Sequence, residues 1–243
     1  MKNNHYLNYI KIFLGNTCYL NSLIQILFLT PEFRNNILSW KYDEKIHGKR
    51  EDCIPFQLQK LFARMKLRCR DSETTEGLTK SFQWDHHQLL EQHDIQELCR
   101  VLFEAIEISL SEIEGNFIIN LFQGSSISAV KCLKCLKESI KKDFFMDVSL
   151  PIRNEFDKIY NTSIEMAFAN FLKEEKLTGS EQYFCDNCGE KVDAFKYLKF
   201  TKLPKILFIQ MNRFEYDLYT EGRKKICDRV TFPIILNMNP FLR

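Results

Sequence analysis

Two Cys-x-x-Cys pairs constrain this chain more than any other feature. Cys132-Leu133-Lys134-Cys135 and Cys185-Asp186-Asn187-Cys188 are separated by residues 136–184. Four thiols grouped two by two match the closed tetrahedral site of structural zinc, each pair on its own knuckle turn. Such a site forms only in a fold that brings residues 132–135 and 185–188 face to face. Gly189 follows the second pair and provides for a tight turn there. A thiol redox centre would need a single C-x-x-C in a βαβ setting, and these pairs lie in strand-like surroundings. The expected metal is therefore structural zinc, with no direct chemistry. The chain holds nine cysteines. An odd count with four in metal-type pairs reads as a reducing compartment, cytoplasmic or nuclear.

Composition narrows the partners. The chain has 243 residues, 45% hydrophobic and 27% charged, enough to bury a sizeable core in one or two domains. A net charge of +2 is too balanced to point to a nucleic-acid or membrane partner. No apolar run approaches the roughly 20 residues of a bilayer span, and residues 1–9 contain no apolar signal region. Asn161-Thr162-Ser163 matches a glycosylation sequon, read here as chance.

Periodicity places helices first and strands second, an α+β chain. Leu20, Leu23, Ile24, Leu27 and Phe28 line one helical face. Pro31 starts a second helix to Trp40, and Pro55–Leu67 a third. A polar stretch, Arg70–Gly77, follows. The next helix is predicted over Asp94–Leu110, with Asp94 and Glu97 as a capping box. Gly124–Lys131 and Phe144–Leu150 read as strands. Thr162 and Glu165 are expected to open a helix over Ser163–Leu172. Ile206–Met211 reads as a buried strand, with further strands to the end.

Cys18 sits at the start of the first helix, where the dipole favours a thiolate. It lies within Gly15-Asn16-Thr17-Cys18-Tyr19-Leu20-Asn21-Ser22, which is similar to the cysteine box of ubiquitin-specific proteases. Gln92-His93-Asp94-Ile95-Gln96-Glu97-Leu98 resembles that family's QQD-type segment. The two cysteine pairs follow in the family's order, and Leu203-Pro204-Lys205-Ile206-Leu207 to Arg213-Phe214-Glu215-Tyr216 resembles its palm segment ending in R-F-x-Y. The resemblance spans residues 13–242. It implies a papain-like cysteine protease core of thumb, palm and fingers with a zinc ribbon, present as one C-terminally truncated domain. Residues 1–112 would form the thumb, 113–200 the fingers and 201–243 the start of the palm.

The resemblance further implies a thiol protease acting in protein deubiquitination, with ubiquitin and ubiquitinated proteins as partners. Cys18 would attack the carbonyl of ubiquitin's C-terminal glycine and form a thioester that water releases. Gln92 and Asp94 match positions lining the cleft for ubiquitin's tail. A carboxylate suits that tail's arginines, although capping alone also explains Asp94. Trp84 matches a loop residue near the active site. Two departures accompany the match. Phe13 stands where the family has an oxyanion-stabilising Asn, and a phenyl ring cannot donate that hydrogen bond. The family's general-base histidine lies in an H-x-G…G-H-Y context, and none of the five histidines here has it. The second expectation is therefore a catalytically impaired ubiquitin-binding chain.

Overall fold

The computed structural model describes residues 18–67, 73–83, 95–110, 116–154, 159–217 and 221–242. The chain divides into two compact units, residues 1–119 and 120–243. The first is helical: α1 (Cys18–Leu29), α2 (Pro31–Ser39), α3 (Glu44–His47), α4 (Ile54–Leu67), α5 (Glu76–Ser81) and α6 (Ile95–Ser109), followed by α7 (Phe117–Phe122), which crosses into the second unit. The expected apolar face of α1 is buried throughout. It meets Phe33 and Ile37 of α2, Leu58, Leu61, Phe62 and Met65 of α4, and Leu98, Leu102, Phe103 and Ile106 of α6 in the unit's buried interior. Phe33 is the hub, with the rings of Phe62, Phe103 and Phe117 within 6.1 Å of its own. Gln59 on α4 closes the end of α2, its side-chain amide donating to the carbonyls of Ile37 (2.9 Å) and Trp40 (2.6 Å). These are orphan acceptors that a helix end must otherwise leave to water.

The second unit is built on strands. β1 (Gly124–Cys132) pairs antiparallel with β2 (Glu138–Phe145), while β3 (Asp147–Pro151) leaves that sheet. Short strands β4 (Arg153–Asn154) and β5 (Ile159–Tyr160) form a ribbon before α8 (Ile164–Phe171). Then come β6 (Glu175–Leu177), the β7–β8 hairpin (Tyr183–Cys185 and Glu190–Val192) and the long β9 (Ala194–Lys202). The main sheet has the order β2-β1-β9-β6. β10 (Phe208–Asn212) pairs in parallel with β3, and β11 (Phe214–Asp217) forms a hairpin with β12 (Gly222–Lys225). Val148, Leu150, Ala167, Phe168 and Phe200 make the core between α8 and the sheets. Among the described residues no helix is long and apolar enough to cross a membrane.

The α+β class and the five expected helices match the sequence reading, α3, α5 and α7 were not foreseen in it, and four local expectations are corrected. Phe144–Leu150 is not one strand. It breaks at Met146, because Phe145 still pairs with Gly124 whereas Asp147 already pairs with Phe208. The cap of α8 is Ser163 rather than Thr162, its hydroxyl accepting from Met166 N at 3.2 Å. The strand expected over Ile206–Met211 starts at Phe208, since the Ile206 amide is taken by the Leu121 carbonyl (2.9 Å). Strands do not continue to the end. Among the described residues beyond Lys225, only single bridges at Thr231 and Leu242 and a short 3-10 turn (Asn239–Phe241) occur, and Pro233 and Pro240 each remove a ladder donor there. Asn161 of the sequon is 2% exposed, with its amide donating to Pro151 O at 2.8 Å, so its side chain is a structural bond.

Gly124 opens β1 beneath the ring of Phe145. A Cβ at Gly124 would fall under 3 Å from three atoms of that ring, which is itself fixed against Phe200 at 5.1 Å. Gly124→Ala is expected to destabilise the second unit by about 1–3 kcal/mol, read as an earlier midpoint in chemical denaturation. An unchanged midpoint would show that the ring yields without cost.

Candidate active site and metal centre

The four paired cysteines meet. Their sulfurs all lie within 4.8 Å of one another, with Cys132 Sγ to Cys188 Sγ at 3.9 Å and Cys135 Sγ to Cys185 Sγ at 3.7 Å. A tetrahedron with metal–sulfur bonds of about 2.3 Å has edges of about 3.8 Å, so this donor set fits a divalent ion in tetrahedral coordination. Each knuckle is made locally. Cys132 Sγ accepts from the amides of Lys134 and Cys135, both at 3.3 Å. In the second pair, Cys188 N and Gly189 N both return to Cys185 O. The residue after each pair adopts a left-handed conformation, Leu136 at φ +61° and Gly189 at +71°. Gly189 was legible as a turn residue. Leu136 was not, because a leucine disfavours that region. An ion pair between Lys134 and Glu190 spans the two knuckles.

The sulfurs do not behave alike. The Lys137 backbone N–H draws the Cys135 thiol down to about 6. Burial, then the neighbouring thiols, push Cys188 up to about 12. Four adjacent thiols repel one another as thiolates, and a divalent cation among them is what makes all four ionise together.

Cys18 is the first residue of α1, and it is exposed. The Ser22 hydroxyl donates to the Cys18 carbonyl at 3.0 Å, bracing the first turn. One turn on, Asn21 is the only polar residue in the buried face of α1, 5% exposed. Its Oδ1 accepts from Thr75 Oγ1 at 3.2 Å. Thr75 is fully buried at the N-cap of α5, yet its hydroxyl makes no capping bond. The Glu76 amide donates to Thr74 Oγ1 at 3.2 Å. Glu73, two residues before Thr75, is 4% exposed, and among the described residues both Asn21 Nδ2 and Glu73 Oε1 lack a partner. A buried unpaired polar group costs about 1–3 kcal/mol, and a diverted cap about 1 kcal/mol. The sequence carried a signal for this, one asparagine inside an apolar stripe, which periodicity reasoning passes over.

Of the other expected site residues, Trp84, Gln92 and Asp94 lie outside the described residues, as does Phe13. His47 is the one histidine among the described residues, and it is structural. Its Nδ1 accepts from Asp43 N (2.9 Å), so its Nε2 carries the proton toward Ser109 O (3.2 Å). Arg213, from the R-F-x-Y segment, donates to the carbonyls of Ile226 (3.2 Å) and Asp228 (3.0 Å) and closes the β11–β12 hairpin.

The sequence profile of ubiquitin carboxyl-terminal hydrolases matches residues 11–243. The chain belongs to the ubiquitin carboxyl-terminal hydrolase family. Among curated proteins it is 44% identical over 227 residues to ubiquitin carboxyl-terminal hydrolase 47 of Drosophila melanogaster. It is 42% identical over 230 residues to ubiquitin carboxyl-terminal hydrolase 47 of Homo sapiens, and 36% over 238 residues to human ubiquitin carboxyl-terminal hydrolase 40. In each case 93% of the chain is covered, against 14%, 16% and 19% of those relatives. The chain thus spans under a fifth of their length.

Protein purified under reducing conditions should carry about one zinc ion per chain by elemental analysis. Cys185→Ser should lose it and unfold the second unit well before the first. In small zinc-finger peptides the metal supplies roughly 10–16 kcal/mol. Protein that is folded and metal-free would sink the assignment.

Proposed function

We propose that this chain carries the nucleophile-bearing part of a thiol-dependent deubiquitinase, which hydrolyses the isopeptide or peptide bond after ubiquitin's C-terminal glycine. The observation that carries the reading is Cys18, exposed on the first residue of α1 within a family match over residues 11–243. The thiolate attacks the glycine carbonyl, the amine departs with a proton, and water cleaves the thioester to free ubiquitin's carboxylate. Gln92 and Asp94 line the cleft for the arginine-bearing tail, with Trp84 beside it. Structural zinc on Cys132, Cys135, Cys185 and Cys188 holds the fingers that receive ubiquitin's globular body. The partners are ubiquitin and ubiquitinated proteins, met in the cytoplasm or nucleus.

Phe13 favours one rival, a chain that binds ubiquitin without turnover, because the oxyanion then lacks a side-chain donor. Losing one such donor typically lowers rate about 10²–10³-fold. Phe13→Asn is therefore expected to raise hydrolysis of a ubiquitin–fluorophore conjugate by about 10²-fold, and an unchanged rate would remove Phe13 from the oxyanion site.

Cys18 itself is tested with ubiquitin bearing a C-terminal electrophile. The full-length protein should form a covalent adduct, and Cys18→Ala should abolish both adduct and turnover, the latter by at least about a thousandfold. Labelling that survives Cys18→Ala refutes the role of Cys18. Ubiquitin binding with neither labelling nor turnover would leave the binding-only reading standing.

A further inference from the structure

The buried face of α1 is apolar except at Asn21, and that exception lies one turn from Cys18 on the same side of the helix. Its partner is Thr75, which stands where a threonine ordinarily caps its own helix. Here the hydroxyl turns away from α5 and donates to Asn21 Oδ1 at 3.2 Å. The Thr75 backbone is held in turn. Its carbonyl accepts from Thr79 N at 2.8 Å and from Thr79 Oγ1 at 3.0 Å, and Thr79 is itself 5% exposed. A rigid buried anchor therefore presents one directional bond to α1 just beneath the exposed cysteine.

Apolar contacts hold a helix against a core but tolerate small slides and rotations along it, because they are non-directional. A hydrogen bond is directional and weakens progressively as it lengthens or bends. The apolar residues of α1 supply adhesion. Asn21 and Thr75 add what those residues cannot, a fixed rotation and height for the first turn. The Thr75 hydroxyl makes no cap at α5, and among the described residues Asn21 Nδ2 has no partner. That is a loss of stability at the place where placement matters.

We propose that the Asn21–Thr75 hydrogen bond is a positioning lock for Cys18, which sets the orientation of the first turn of α1 so that the sulfur meets a carbonyl presented by a bound protein chain. Asn21 and Thr75 are positioning residues that touch neither substrate nor reacting atoms. The inference rests on the reading of Cys18 as the nucleophile.

The test compares Thr75→Val, which keeps the shape and removes the hydroxyl, with Thr75→Ser, which keeps the hydroxyl. In the full-length protein, Cys18 is labelled in parallel with the ubiquitin electrophile and with iodoacetamide, and hydrogen exchange is followed at amides 22–25 and across 54–67. Thr75→Val should slow ubiquitin-electrophile labelling at least tenfold and leave iodoacetamide labelling within twofold. It should lower protection at amides 22–25 at least tenfold with 54–67 unchanged. Thr75→Ser should return both readouts to within twofold of wild type. Wild-type labelling and protection in Thr75→Val overturn the lock, as does a Ser variant that behaves like Val. Equal slowing with both reagents, with protection lost across 54–67, would mark Thr75 as a general stability residue and also overturn it. A wild-type protein that ignores the ubiquitin electrophile would defeat the deubiquitinase reading alone, since the exchange readout still decides the lock.

Discussion

The second unit depends on two distant turns being held at sulfur-to-sulfur contact distance. Cys132 ends β1 opposite Ala194 at the start of β9, and the Leu133 amide donates to the Asp193 carbonyl at 2.9 Å. Antiparallel pairing thus delivers the first knuckle to the foot of the β7–β8 hairpin, whose tip is the second knuckle. The sulfurs close the end of the sheet, and Cys132, Cys185 and Val192 form a small buried cluster there, with little apolar mass of its own. Where burial is this limited, the proposed zinc would supply the adhesion through its ligand bonds, as in other small domains with too little core.

The first unit is held differently. Its core is aromatic and aliphatic, organised around Phe33, and its polar interior is confined to a few groups. Of these, the Asn21–Thr75 link joins the helix that bears Cys18 to the start of α5, whereas the half-buried Gln59 side chain closes the end of α2. The two kinds of bond have different meanings. Gln59 satisfies carbonyls that would otherwise be orphaned, a gain in stability. Asn21 has an amide without a partner among the described residues and draws the Thr75 hydroxyl away from its cap, and so contributes direction at the expense of stability.

Much of this was legible in the residues. The apolar stripe of α1, the proline that starts α2 and the turn after Cys188 each follow from local rules that tertiary structure did not override. The clustering of the four cysteines was readable because ligand chemistry allows few alternatives. Other parts were not. The break at Met146 and the late start of β10 arise from partners far away in sequence, Phe208 and Leu121, that no local pattern encodes. The left-handed turn at Leu136 runs against the preference of its residue, and only the bonds of the knuckle hold it. The diverted Thr75 hydroxyl was hidden for the opposite reason, since a threonine before a short helix reads as a cap.

Parallel pairing of β3 with β10 has a consequence for the order of assembly. Residues 152–207 must be gathered before Asp147 can meet Phe208, and closing so long a loop is entropically slow. A cross-link from residues 132–135 to 185–188 short-circuits that loop, leaving only the short runs from 136 to 146 and from 189 to 207 to be searched. The supply of the proposed zinc would then set how fast a newly made chain reaches its final sheet pairing, as well as how firmly it holds it. Until such an ion bound, β3 and β10 would stay open to pairing with other chains, and the metal would act as a timer on the passage through that vulnerable state.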